Sequence, residues 1–300
     1  MQFKNQHSTL KSYIWILIIL FGKIANGQTL KGIVTDFETN LPMHLANVTF
    51  IEKDKGSYTD LTGKFELNID NEKQILISSV GYESLILNVS EIKDFEQVLK
   101  IKLKPSAEKL EEVVISAKKK KYTSSKKLGE SKRLKVRTSL PFGYEFANLI
   151  LNPKNQEGII EQLILNLNKS KEYDYLTLYN IKFYKYDSIT KQPGELLHFK
   201  NLVINPENKT YELKIDIEEL GITFPKNGIC IGVEIVNDKY EEPIKSMAII
   251  APNINFTHTD LKLLTWSRFM NKNWNPRTRK SQFRKGFING LIKLKVKFEK

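Results

Sequence analysis

Six short runs of strand-forming residues crowd into the stretch from Leu30 to Leu103, and this crowding limits the fold more than any other feature of the chain. The runs occupy 30–35, 46–51, 64–67, 75–79, 85–89 and 98–103. Pro42, Gly56, Asp60, Gly63, the trio Asn71-Glu72-Lys73 and Gly81 stand between them. Runs this short do not complete helices, whereas strands separated by turn residues at roughly 8–12 residue spacing build antiparallel sandwiches. Within Asp60-Leu61-Thr62-Gly63-Lys64-Phe65 the aspartate can accept hydrogen bonds from nearby backbone and the glycine tolerates positive φ. That segment predicts a tight turn feeding a strand.

The rest of the chain sorts around this module. Lys4 and Lys11 precede the apolar run 13–21, and Ala25 and Gly27 set small residues where a signal peptidase reads. The apolar run is about half the ~20 residues a spanning helix needs, so residues 1–27 predict a cleaved signal peptide rather than an anchor. The expected location is therefore the periplasm, the outer membrane's surroundings or the cell surface. Residues 28–104 form the first sandwich. Residues 105–137 read as a linker, because Pro105 ends the last strand and 118–137 carries ten Lys/Arg against Glu130 alone. So cationic a tract buries too little apolar surface to order itself and reads as a solvated spacer. Residues 138–300 form a second, larger antiparallel sandwich, with period-two runs at 163–167, 181–186, 211–215 and 291–298. Turns are expected at 192–195 and 206–208, and one helical turn at 217–220. In the last run Lys293, Lys295 and Lys297 share one face and Ile292, Leu294, Val296 and Phe298 the other, which predicts a half-buried strand with a solvated basic face.

Charge and cysteine narrow the function classes. The net charge of +13 is concentrated in three places: the leader, the 118–137 tract and residues 266–300, where eleven Lys/Arg meet only Glu299. What remains is mildly acidic, a pattern of patches rather than of a uniformly cationic nucleic-acid binder. The single cysteine, Cys230, lies in an apolar run, excludes an intrachain disulfide and reads as a small buried strand residue. The histidines are His7, His44, His198 and His258, and none has a glutamate three residues on. Zinc-peptidase ligation needs that spacing, so neither a metal, a cofactor nor an enzymatic activity is expected.

Four separated elements carry a family resemblance. They are Gly32-Ile33-Val34-Thr35-Asp36; Pro42 with Ala46-Asn47-Val48; Thr59-Asp60 with Gly63-Lys64-Phe65; and Ser79-Val80-Gly81-Tyr82. In this order they resemble the carboxypeptidase-regulatory-like domain found at the start of many outer-membrane and secreted proteins of Bacteroidota. The resemblance implies a transthyretin/prealbumin-like Greek-key sandwich in which Gly32, Asp36, Pro42, Asp60, Gly63, Phe65, Gly81 and Tyr82 are scaffold and none is catalytic. After it, Leu110, Glu112, Val113, Val114 and Ile115 are similar to the TonB box that follows this domain in large TonB-dependent receptors. Residues 138–300 are too few for a plug and a 22-stranded barrel, so the chain is no such receptor. The segment then either adds as a strand to a partner's sheet edge or serves as an ordinary last strand of the first sandwich. Residues 138–300 look similar to the C-terminal β module of short secreted proteins bearing this domain.

These observations favour a non-catalytic, exported binding or scaffold component of the envelope. One alternative is an accessory of a TonB-dependent uptake system docking through 110–116. Another is a glycan-binding module using the 265–277 loop, where Trp266, Arg268, Trp274 and Arg277 could present rings and donors to a sugar, or instead pin a long loop. The expected partners are envelope proteins or a surface glycan. The 118–137 tract could also touch anionic lipid or lipopolysaccharide. Nucleic acid is disfavoured, because Tyr122 is the tract's one aromatic.

Overall fold

Alternation decides the first module. The computed structural model describes residues 28–106, 120–130, 141–236 apart from 174 and 177, 250–259, 264–277 and 287–300. The first seven strands are β1 (Gln28–Asp36), β2 (Asn47–Phe50), β3 (Gly56–Tyr58), β4 (Lys64–Ile69), β5 (Gln74–Ser78), β6 (Leu85–Asn88) and β7 (Leu99–Leu103). They form two sheets, β4-β1-β7 and β3-β2-β5-β6. In β4, Phe65, Leu67 and Ile69 point inward while Lys64, Glu66 and Asn68 face water. The inward set meets Leu30, Val34, Val48, Phe50, Ile75, Ile77, Ile101 and Leu103 in one core. Each such side chain, fully buried, contributes about 1.5–3 kcal/mol.

All six expected strands form, with two differences. β7 pairs with β1 in parallel, Gly32 opposite Leu99, because the chain crosses from one sheet to the other before returning. A seventh strand, β3, begins at Gly56, which reads as punctuation in the sequence but lies in a strand packed against Met270 of the second module.

The second module is larger and almost wholly antiparallel. In chain order it contains β8 (Lys126–Leu128), β9 (Tyr144–Ile150), β10 (Gly158–Asn168), β11 (Tyr175–Leu176), β12 (Leu178–Asp187) and β13 (Gln192–Leu196). Next come β14 (Leu202–Ile204), β15 (Tyr211–Asp216), β16 (Thr223–Phe224), β17 (Ile229–Val236), β18 (Ile250–Ala251) and β19 (Asn253–Ile254). The last five are β20 (Phe256–Thr259), β21 (Thr265–Phe269), β22 (Asn275–Pro276), β23 (Phe287–Gly290) and β24 (Ile292–Phe298). One sheet runs β15-β10-β24-β8, with β16 and β19 also on β10; the facing sheet runs β13-β12-β17-β9-β21-β22, with β14 on β12. Two short pairs lie outside them, β11 with β18 in parallel and β20 with β23. Phe146, Ile181, Phe183, Ile231, Val233, Leu163, Leu165, Leu294 and Phe298 fill the space between the sheets. The helical turn expected at 217–220 is a 3-10 turn, Glu218–Leu220.

Three expectations for this half need correction. Residues 192–195 are not a turn: they belong to β13, and the chain reverses at Asp187–Lys191, where Asp187 accepts from the Ile189 and Thr190 amides. Pro193 is tolerated because β13 is an edge strand. The cationic tract is not a free spacer over its described part, since β8 extends the sheet at β24 and Tyr122 bridges to Glu299. Nor is the lysine face of β24 a solvated basic stripe. Lys293 pairs with Glu212 at 3.1 Å, Lys297 with Glu161 at 2.8 Å and Glu218 at 3.0 Å, and Lys295 with Glu161 at 3.6 Å. Acidic side chains of neighbouring strands thus pair with all three lysines of this strand. Among the described residues no helix is long and apolar enough to cross a membrane.

Candidate functional site

Strands β9, β12, β17 and β21 have one face in the second module's core. Their other face is turned toward the first module, and it is charged. Glu145 of β9, Lys182 of β12, Glu234 of β17 and Arg268 of β21 are between 0 and 9% exposed. Buried ions need partners, because taking each out of water costs several kcal/mol. Here they supply one another. Lys182 Nζ lies 3.0 Å from Glu234 Oε2 and 3.3 Å from Glu145 Oε2, and Arg268 Nη2 lies 2.9 Å from Glu145 Oε2. Two cations and two carboxylates make the set neutral.

Uncharged donors complete it. The Tyr184 hydroxyl donates to Glu145 Oε1 at 2.7 Å and accepts from Arg268 Nη2 at 2.7 Å. Asn180 Nδ2 donates to Glu234 Oε2 at 3.2 Å and to Asn201 Oδ1 at 2.9 Å. From the first module, the Tyr58 hydroxyl donates to Glu234 Oε1 at 3.2 Å. Gly232 makes this crossing of side chains feasible, since a Cβ there would collide with the Glu145 carboxylate and the Tyr184 ring. Burial alone would push the Glu145 carboxyl up, but Arg268 and Lys182 more than reverse it and hold the group below the usual carboxylate range. Burial drives the Tyr184 phenol well above its ordinary value; Arg268 opposes and Glu145 adds to the rise. Neither group exchanges a proton near pH 7, where a general acid or base needs its pKa.

The two modules meet over this face. Met270, fully buried, inserts between Leu45, Tyr58 and Val236, and Tyr58 packs edge-on against Phe142 with centroids 5.5 Å apart. Asp54 is clamped from the second module by the Tyr144 hydroxyl at 2.6 Å and Lys272 Nζ at 3.0 Å. Gly81 approaches so closely that a Cβ there would lie 2.8 Å from the Phe199 carbonyl oxygen. Between these contacts lies a cavity of about 370 Å³, walled by Asn47, Gly81, Tyr82 and Ser106 on one side and by Asn180, Lys182, Tyr184, Glu234, Arg268 and Asn271 on the other. Asn47 Oδ1 and Asn180 Oδ1 are buried and have no hydrogen-bond partner. Among the described residues no group of three or more His, Cys, Asp or Glu side chains is placed to hold a metal ion.

The residues singled out in the sequence fall in different places. Asp36 accepts from the Glu38 and Thr39 amides at 2.8 Å each and from the Tyr82 hydroxyl at 2.6 Å, which ties the end of β1 to the Gly81-Tyr82 turn. Tyr82, together with the two amides, holds the Asp36 carboxyl down at about 2. Asp60 accepts from the Thr62 and Lys64 amides, and Gly63 takes φ +75° beside it. Pro42 bridges to Thr35, and Phe65 joins the core against Gly32. Arg268 and Trp274 come together, the guanidinium 4.1 Å from the indole centroid, with Tyr184 edge-on to the same ring. Trp266 is 5% exposed against Tyr186, and Arg277 lies over Phe256. Leu110, Glu112, Val113, Val114 and Ile115 lie outside the described residues.

Glu145, Lys182, Glu234, Asn47 and Asn180 were not anticipated as a site. One signal was present: Glu234 is the sole charge in the run Ile229-Cys230-Ile231-Gly232-Val233-Glu234-Ile235-Val236, and a strand buried on both faces keeps a charge only against a partner. The partner itself, 52 residues away at Lys182, is not visible along the chain.

The two-sheet topology, the parallel β1–β7 pair and the Asp36 and Asp60 turns stand beside a match to a family model. Residues 30–115 match the CarboxypepD_reg-like domain. Such domains are non-catalytic, immunoglobulin-like sandwiches. The match to the CarboxypepD_reg-like domain runs past the boundary drawn at residue 104 and through most of the 110–116 segment. No curated protein matches the chain. The CarboxypepD_reg-like domain thus supplies one wall of the cavity, and residues outside the match supply the buried charges of the other.

Proposed function

We propose that this chain is a non-catalytic, exported binding protein of the cell envelope whose ligand seats between the CarboxypepD_reg-like domain and the second sandwich. The observation that carries the reading is the cavity of about 370 Å³ walled by both modules, whose lining includes Asn47 and Asn180, two asparagines with buried amide oxygens that have no partner. Its volume lies at the small end of the ~300–1,000 Å³ range typical of small-molecule sites, and such sites favour domain interfaces. A buried acceptor without a partner costs about 1–3 kcal/mol, so a ligand donating to it regains that energy. Export is supported by the basic and apolar character of residues 1–27. The envelope assignment rests on the family resemblance read from the sequence.

Thermal shift on the two-module chain tests the reading, against a panel of neutral sugars, amino acids, blocked dipeptides and phosphorylated metabolites. At least one class is expected to raise the melting temperature, and Ser106→Trp, which fills the cavity from its wall, is expected to abolish that rise. A panel that leaves the wild-type protein unmoved sinks the proposal. Export is checked separately by N-terminal sequencing of the protein recovered from cells, with Gln28 expected as the first residue.

A further inference from the structure

We infer that the ligand of this cavity is a neutral, hydroxyl-rich molecule, one or two rings of a carbohydrate; the inference rests on the binding reading above. Charge comes first. Glu145 and Glu234 are balanced by Lys182 and Arg268 within 3.3 Å, and the one further charge of the lining, the exposed Glu195, lies 3.9 Å from Lys185, so no buried ion of the wall is left over to select a charged ligand. A carboxylate or phosphate would bring further negative charge beside Glu195 and Glu234, and a cation would meet an ammonium and a guanidinium. Either is disfavoured against side chains as buried as Lys182, Glu234 and Arg268.

Hydrogen-bonding capacity comes second, and it is mixed. Asn47 and Asn180, 4% and 1% exposed, stand in the lining, and each has a buried amide oxygen without a partner. The orientation of Asn180 is fixed, because its Nδ2 already donates to Glu234 and Asn201. Unused donors stand beside them. Lys182 carries three N–H groups and pairs with two carboxylates, while Arg268 bonds through Nε and Nη2 and leaves Nη1. A hydroxyl both donates and accepts, so a ring with several of them satisfies such a wall at once. Tyr82 from the first module and Phe199 from the second add apolar surface to the lining for the C–H faces of that ring.

Titration calorimetry of the full mature chain settles the class. The probes are glucose, galactose, mannose, N-acetylglucosamine, maltose and cellobiose, with glucuronate, glucose 6-phosphate and a blocked dialanine as contrasts. At least one neutral sugar is expected to bind. Asn47→Ala is expected to weaken that binding about tenfold or more. The melting temperature of the free protein should not fall, because Asn47 Oδ1 bonds to nothing there. If Asn47→Ala fails to fold, Asn47→Ser, which keeps an oxygen on a shorter arm, is expected to bind with intermediate strength. Tighter binding of glucuronate or the phosphate than of every neutral sugar overturns the inference. So does binding of the blocked dialanine alone, though that result leaves the cavity as the site. If no probe binds and Asn47→Ala raises stability, both the inference and the cavity reading fall.

Discussion

The two modules stabilise their charges in opposite ways. In the first, the turn carboxylates are satisfied largely by nearby backbone: Asp36 by amides two and three positions on, with the Tyr82 hydroxyl of the same module added, and Asp60 by amides two and four positions on. In the second, the decisive charges lie on a strand face that the first module covers, and their partners are far along the chain. Glu145 meets Lys182 across 37 positions and Arg268 across 123. A local carboxylate–amide bond organises a turn whatever surrounds it, and water can replace it. A buried ion pair exists only when four strands and a neighbouring module are all in place. The first module should therefore tolerate the loss of any one charge, and the second should not.

The sharpest way to break this contrast is Lys182→Met. It leaves Glu145 and Glu234, which face each other across β9 and β17, without the ammonium between them. The expected loss is about 3–5 kcal/mol in urea unfolding, because uncompensated charge stays buried. Adding Glu234→Gln to Lys182→Met should recover part of it, whereas independent effects would add. A loss below about 1 kcal/mol would mean that the face is wet and that the contrast fails. Met270→Ala comes next. Its side chain is wholly buried where the modules join, and truncation should cost about 2–4 kcal/mol. Limited proteolysis should then cut between the modules before either sandwich unfolds. Smaller still is Asp60→Ala in the first module. It removes two amide acceptors from an exposed turn and should cost about 1–2 kcal/mol, with the melt remaining a single transition.

The same contrast explains what could be read along the chain. The six strands of the first module and its turns were legible because period-two alternation, Asp and Gly act on neighbours in sequence. β3 was not, since Gly56 mimics a turn, yet it pairs with Thr49 of β2 and lies against Met270 from the other module. In the second module the apolar face of β24 was legible, with Leu294, Val296 and Phe298 fully buried. Its lysine face was misjudged because Glu161 and Glu212 reach it from β10 and β15, which only the sheet order brings alongside. Of the candidate site, Arg268 and Trp274 were visible as types in a polar loop. Glu145, Lys182 and Asn180 look like ordinary interruptions of apolar strands until a second module covers them. Long-range pairing leaves no local mark in a single sequence.

The smallest expected effect tests whether the first module's charges act as locally as claimed. The Asp36 carboxyl is held at about 2, against an ordinary 3.8, chiefly by the Tyr82 hydroxyl and then by the Thr39 and Glu38 amides. A carboxyl whose folded pKa lies below its unfolded one stabilises the fold fully above the unfolded value, and that contribution fades as pH falls toward the folded value. Asp36 should thus stabilise the protein above about pH 4 and lose that effect on the way to about pH 2. Tyr82→Phe removes the largest single cause and lets the folded pKa climb back toward the ordinary one. At pH 7 the variant should be weaker by about 1 kcal/mol. By pH 2.5 the gap between the two urea midpoints should narrow, and it should close toward pH 2 and below as Asp36 becomes protonated in both proteins. The phenol itself stays un-ionised throughout, pushed up to about 12 by burial and by Asp36. Convergence would mark the Asp36–Tyr82 bond as a local clasp on the turn. A gap that stays constant with pH would mean instead that Tyr82 acts through packing against the first core, and that this turn depends on its surroundings as much as the buried charges of the second module do.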